Sequence, residues 1–242
     1  MTIETRQITV SGISVEVVRK AIKNLHLGVY PPNGRVRVAA PLSMSEDAIR
    51  LAVVEKLAWI RKHQTKFANQ ERQSPREYVT GETHYFQGRR YRLNVVPHQG
   101  HGRISLRNST TMDMQVKEGT DVAYRRRLLA DWYRKQLKSR IPALIAKWEP
   151  IMGVTVAEWG VKQMKTKWGT CNIKAHRIWL NLELVKKPPH CLEYIVVHEM
   201  AHLLKKQHND TFKALMDRFL PQWRLYREEL NRAPLGHEGW TE

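Results

Sequence analysis

Tyr194–His208, YIVVHEMAHLLKKQH, is the stretch from which the rest of the chain is read. It holds no glycine or proline, and Ile195, Val196, Val197, Ala201, Leu203 and Leu204 give it the apolar character of a largely buried helix. Within it stand His198, Glu199 and His202, in the order H-E-x-x-H. Residues four apart share a helix face, so the two imidazoles address one point about one turn apart. Glu199 lies beside them, within reach of a water on a metal ion held by the pair. Polar groups are costly inside an apolar helix unless satisfied, and metal ligation gives both histidines a reason to be there. A catalytic zinc takes three protein ligands and keeps a fourth position open. His208 is the natural third ligand, because it follows Lys205-Lys206-Gln207, where the helix can end and the chain turn back. The expected cofactor is one catalytic Zn2+; a structural zinc would be closed by a fourth side chain.

Upstream of this helix, Val154–Trp159 reads as a short strand and Arg177–Leu182 as an alternating one, joined by a loop that contains Lys165–Asn172, KTKWGTCN. A small sheet placed there can hold an extended peptide by strand addition at its edge. Lys165 and Lys167 add positive potential beside it. Pro188-Pro189 suits the approach to a helix start. Downstream, Asn209 or Asp210 can cap a helix through Phe212, Leu215, Met216 and Phe219. Pro221 interrupts it before a last amphipathic piece around Trp223, Leu225 and Tyr226, and the tail at 234–242 is expected to be mobile.

Further toward the start, residues 3–18 read as a hairpin turning at Gly12. Ile22–Tyr30 and Arg35–Ala39 flank Asn33-Gly34, so about four antiparallel strands are expected in the first forty residues. Ser43 and Glu46 suggest a capping box for one long helix over about 45–70, with Trp59 anchoring it against the sheet. Strands follow at Glu77–Thr80, Thr83–Gln87, Arg89–Pro97, Arg103–Arg107 and around Met112, Met114 and Val116. His84, His98 and His101 fall at turns and strand edges and are read as exposed, not as ligands. Thr120 or Asp121 can cap a helix through Leu128, Trp132, Leu137 and Ile141, where Pro142 either kinks it or starts a second segment. The weak linker at 117–120 divides an expected β-rich region, 1–118, from an expected catalytic domain, 119–233.

The 242 residues carry 41 Lys and Arg against 23 Asp and Glu, a net charge of +18, which favours an anionic substrate or partner; nucleic acid is possible, although no known nucleic-acid motif accompanies the charge. No apolar stretch is long enough for a membrane helix. The opening MTIETRQITV shows no apolar leader core, and cytoplasm is the expected compartment. The two cysteines suggest neither a disulfide framework nor a four-cysteine zinc site, and Cys191 reads as a packing residue on a helix face.

Taken together, Leu57-Ala58-Trp59-Ile60, Lys167-Trp168-Gly169-Thr170-Cys171, Trp179-Leu180-Asn181 and VVHEMAHLLKKQHNDTFKAL at 196–215 resemble the YgjP-like family of metallopeptidase-fold hydrolases. The late part is also similar to minimal zinc-protease domains of the SprT and Wss1 type, which act on proteins bound to DNA. The resemblance implies an α+β fold: a zincin-like minimal metallopeptidase domain preceded by a β-rich region. It implies His198, His202 and His208 as metal ligands and Glu199 as the catalytic glutamate. Thr170 stands where many relatives have serine. Cys171 is read as support for the loop beside the helix, with metal ligation as the alternative. Trp168 is read as a packing anchor, with substrate contact as the alternative.

The function expected is a zinc-dependent hydrolase, foremost a metallopeptidase with Glu199 as general base. Tyr194, Tyr226 and Lys167 are candidate donors to a developing oxyanion. A metal-dependent nucleotide phosphohydrolase, of the nucleoside triphosphate pyrophosphatase type, is the alternative. The third reading is a DNA-associated binding protein with a structural metal.

Overall fold

The computed structural model describes residues 5–30, 33–68, 76–164 and 167–232. The chain forms two compact units, Met1–Ser74 and Pro75–Glu238. The passage at 117–120 does not divide them. It leads from a strand into a long helix, and both bury side chains in one core.

In the first unit, β1 (Thr5–Val10) and β2 (Ile13–Lys20) form the expected hairpin. Its turn residues, Ser11 and Gly12, both take positive φ, 50° and 79°, which suits the twist of the flanking strands. β3 (His26–Tyr30) and β4 (Arg35–Pro41) make a second hairpin. The order is β1-β2-β4-β3, and β2 runs parallel to β4, with Val15 opposite Val36. Strict antiparallel pairing therefore does not hold: β3 takes the outer edge, which sets two strands of like direction side by side.

α1 (Glu46–Glu55) is capped by Ser45, whose Oγ accepts from the Ala48 amide at 3.2 Å. Ser43 lies too far from the first turn for that role. Helical geometry breaks at Lys56, with φ −103° and ψ 7°, before α2 (Leu57–Ala68), so the expected single helix is two. Ile49, Val53 and Ile60 join the core with the sheet's valines, while Trp59 is 40% exposed and packs on His63. Whether the helix reaches Gln70 falls outside the described residues.

The second unit repeats the four-strand plan. β5 (Thr83–Phe86), β6 (Arg89–Pro97), β7 (Arg103–Leu106) and β8 (Thr111–Val116) lie in the order β5-β6-β8-β7, with β6 parallel to β8. Glu77–Thr80 is not a strand, because the Glu82 carboxylate captures the amides of Glu77 and Tyr78 at 3.0 and 2.7 Å. The same carboxylate meets His84 Nε2 at 3.1 Å, which lets His84 lie buried rather than exposed. His98 is half-buried and His101 exposed.

α3 (Val122–Met152) starts at Asp121, whose carboxylate accepts from the Tyr124 amide at 2.6 Å, and ends at Gly153, in the left-handed conformation at φ 67°. Leu129, Tyr133, Leu137, Ile141, Ile145, Trp148 and Met152 form one buried stripe down the helix. Pro142 does not divide it. Pro142 is exposed, and the carbonyl it leaves without a helical partner belongs to exposed Lys138, where water can meet it. On either side, Ile141 and Ile145 stay in the core.

A third sheet follows, of β9 (Glu158–Lys162), β10 (Gly169–Asn172) and β11 (Arg177–Asn181), in the order β10-β11-β9. The strand expected at Val154–Trp159 sits farther along, because it pairs parallel with β11, Glu158 opposite Arg177. The stretch read as a loop contains the edge strand β10, Thr170 opposite Trp179. The chain then enters a 3-10 turn, Leu182–Lys186, and the helices α4 (Pro189–Leu204), α5 (Asp210–Phe219) and α6 (Trp223–Arg232). The β5–β6 turn holds this approach: the amides of Gln87 and Gly88 donate to the carbonyls of Val185 and Lys186 at 2.9 and 3.0 Å. Gly88 has φ 78°, and a Cβ there would meet Pro188 at 2.8 Å, so both conformation and space call for glycine. No helix among the described residues is long and apolar enough to cross a membrane.

Candidate metal centre

α4 starts at Pro189, where the missing N–H is not needed by the first turn. Ile195, Val196, Val197, Met200 and Ala201 are all buried, so the helix is fixed from most sides. His198 and His202 project one turn apart, with ring centroids 5.0 Å apart. Past Leu204 the backbone becomes extended at Lys205, φ −145°, and brings His208 back. The His208 ring lies 4.6 Å from that of His202 and 5.0 Å from that of His198. Asn209 caps α5 through its Oδ1, which accepts from the Phe212 amide at 3.1 Å. The Phe212 ring then packs against all three histidines, at 5.1, 4.8 and 4.8 Å.

One ligand atom from each of His198, His202 and His208 lies within 4.8 Å of the other two. His202 donates through Nδ1 to the Lys205 carbonyl at 3.2 Å, which frees Nε2 as an acceptor. His198 Nε2 and His208 Nε2 are 3.0 Å apart, while buried His198 Nδ1 has no hydrogen-bond partner among the described residues. Burial, then His202, His208 and Arg227, push the His198 imidazole down to about 3; burial also lowers that of His202. Three imidazoles, two half-buried and one exposed, that bring ring nitrogens to one point are a donor set suited to a borderline-soft divalent cation such as zinc.

Glu199 is 4% exposed and faces β10. Burial raises its carboxyl to about 8, against the pull of Lys167. A Cβ at Gly169 would come within 2.5 Å of Glu199 Oε1 and 2.8 Å of its Cγ. The glycine of the Trp-Gly pair is thus the space in which the carboxylate sits.

Glu199, the three histidines, Lys167, Trp168 and Cys171 line one cleft of about 1310 Å³. Lys167 is exposed. Trp168 is half-buried against the core, with Lys187 Nζ 5.6 Å from its ring centre. Cys171 lies on β10 outside the histidine group, and burial, then Glu199, raises its thiol to about 11. Lys165 falls outside the described residues. Tyr194 lines the cleft, whereas Tyr226 packs on His190 at 4.7 Å.

Two further residues belong to this arrangement. Asn181 is fully buried; its Nδ2 donates to the carbonyls of Met164 and Lys167 at 2.9 and 2.8 Å, and its Oδ1 accepts from the Glu183 amide at 3.1 Å. It fixes the backbone that leads into β10, and the polar residue ending an apolar strand was the available signal. Arg227 of α6 lines the cleft within electrostatic reach of His198 and Tyr194, and nothing local in the sequence pointed to it. A second group, His190, Cys191 and Glu229, is made of residues already engaged: His190 meets Glu229 at 2.5 Å, and burial raises the Cys191 thiol to about 12.

A buried helix carrying two histidines and a glutamate, closed by a third histidine from the following turn, fits a metal-dependent hydrolase of the metallopeptidase class. The YgjP-like, metallopeptidase domain model matches residues 23–233, and the chain belongs to that family. Two solved structures show partial similarity. The metallopeptidase zymogen of Pyrococcus abyssi abylysin is 18% identical, with 37% of this chain and 90% of that one covered at a TM-score of 0.35. The metallopeptidase zymogen of Methanocaldococcus jannaschii jannalysin is 18% identical, with 38% and 94% covered at a TM-score of 0.34. No curated protein matches the sequence.

Proposed function

We propose that the chain is a zinc-dependent peptidase in which His198, His202 and His208 hold the ion and Glu199 moves the proton. The observation that carries this reading is the convergence of three imidazoles within 4.8 Å in the cleft that also holds Glu199. Zinc bound there supplies Lewis acidity and lowers the pKa of water. Glu199, fixed between α4 and Gly169, accepts a proton from the attacking water and returns it to the departing amine. His202 is held in one tautomer by Lys205, so its Nε2 stays a ligand throughout. Tyr194 and Arg227 are the donors best situated for a developing oxyanion, because both line the cleft. β10 is the terminal strand of its sheet and offers its outer edge to an extended peptide, which it orients past Glu199.

Hydrolysis of unstructured proteins, with and without DNA, and of nucleoside triphosphates tests the reading when Glu199→Gln is run beside the native chain. Peptide products are expected. Turnover should fall by about 10²–10⁴ in Glu199→Gln while zinc remains bound. Phosphate or pyrophosphate release without peptide cleavage would replace this reading with the phosphohydrolase one.

A further inference from the structure

The walls of the cleft carry an uneven charge. Lys167 precedes β10, Lys174 lies in the β10–β11 turn, Lys206 follows α4 and Arg227 stands on α6, so four cations from separate segments of the chain line the cleft. Lys213 of α5 also lines it but is paired with Asp210 at 2.9 Å. Among the described residues, none of the other four forms a salt bridge with a carboxylate. Glu199 is the one acidic side chain in the described lining. Unpaired cations around a concavity focus positive potential inside it and select for anions.

The shape of the cleft says which kind of anion. Lys167 and Lys174 flank the two ends of edge strand β10, so a segment paired along that strand passes a cation on each side of Glu199. Base stacking needs open aromatic faces. Tyr194, Phe212 and Trp223 in the same lining are only 4%, 2% and 6% exposed, and half-buried Trp168 packs against the core with Lys187 Nζ 5.6 Å from its ring centre. Backbone pairing with flanking charge is a peptide's mode of binding, not a nucleic acid's.

We propose that this cleft selects acidic stretches of polypeptide, laid along β10 with carboxylates toward Lys167 and Lys174 on one wall and toward Lys206 and Arg227 on the other. This rests on the peptidase reading and narrows its substrate.

Binding to the zinc-loaded full chain bearing Glu199→Gln tests the assignment without turnover. Fluorescently labelled twelve-residue peptides matched in their uncharged residues, one Glu-rich and one Lys-rich, serve as probes, with oligothymidylate of charge equal to the Glu-rich peptide as competitor. The acidic peptide should bind about tenfold tighter or more than the basic one, and raising the salt should shrink that gap. Lys174→Glu with Lys206→Glu should abolish or invert the preference, and Lys174→Gln with Lys206→Gln should reduce it by a smaller factor. Equal binding of the two peptides, or a preference that survives the charge reversal, overturns the assignment. Displacement of the acidic peptide by less oligothymidylate than unlabelled peptide also overturns it, in favour of nucleic acid. If the native chain binds the acidic peptide selectively but never cleaves it, peptidase activity fails while the charge selectivity stands.

Discussion

The sheets β1–β4 and β5–β8 follow the same course: a hairpin, a crossover, a second hairpin and a parallel pair in the middle. In each, a helix follows the fourth strand. Their coverings differ. The first sheet is closed by α1 and α2 around its own core of Ile8, Val15, Val36, Val38, Ile49 and Ile60. The second is covered by α3, and its buried residues run without a break into α4, the helix that carries His198, Glu199 and His202. One plan of strands thus serves a self-contained unit in one place and, in the other, part of the core that carries the helix of a candidate metal site. The strand order does not decide which; the long buried stripe of α3 does.

Paired core truncations put that difference under the greatest load. Ile60→Ala in the first unit and Leu137→Ala in the second each remove a fully buried side chain, at a cost of about 2–5 kcal/mol apiece. Only Leu137→Ala should also weaken zinc retention and turnover. Equal loss of activity in both variants, at matched fractions folded by circular dichroism, would erase the distinction. Chelation acts next in size. At zinc a thousandfold above Kd, the second unit gains about 4 kcal/mol from the ion, so removing zinc should lower its thermal transition and leave the first unit's in place. Calorimetry with and without chelator reads both transitions.

Gly169→Ala tests the contact between β10 and α4 inside the second unit. The new methyl has to displace the Glu199 carboxylate, so kcat should fall about ten- to a hundredfold with zinc content unchanged. An unaltered kcat would show that the carboxylate does not need that space. The smallest effect concerns Lys187, which burial holds down to about 8 against an ordinary value of 10.5. Its folded value lies below its unfolded one, so burying the charged form penalises the fold below about pH 8, and the penalty fades toward pH 10.5. Lys187→Met should therefore be more stable by about 2 kcal/mol at pH 7, and that advantage should shrink as pH rises. Denaturant midpoints at pH 7 and 10 measure it.

What the sequence made legible followed the range of the interactions. His198 and His202 sit four apart on one apolar helix, a local period, and both project into the cleft as expected. Asn209 as a helix cap and the turn at Gly12 are local as well. β10 was missed because Gly169, Thr170, Cys171 and Asn172 show no alternation of apolar and polar residues; backbone pairing with β11 makes it a strand. The parallel pairings were missed because a strand's pattern says which face it buries and not which neighbour it takes. His84 is buried through Glu82, a partner that no apolar period singles out, whereas Trp59 lies off the face of Ile49, Val53 and Ile60, so the helical period itself turns it outward. Arg227 reaches the histidines only through the packing of α6 on α4.

Zinc K-edge absorption on the purified, zinc-loaded chain reads the histidine cluster most directly. Three imidazole nitrogens and one oxygen ligand, at about 2.0–2.1 Å, with one zinc per chain, are the predicted result. A sulfur neighbour at about 2.3 Å, or loss of no more than a water on His208→Ala, would contradict it.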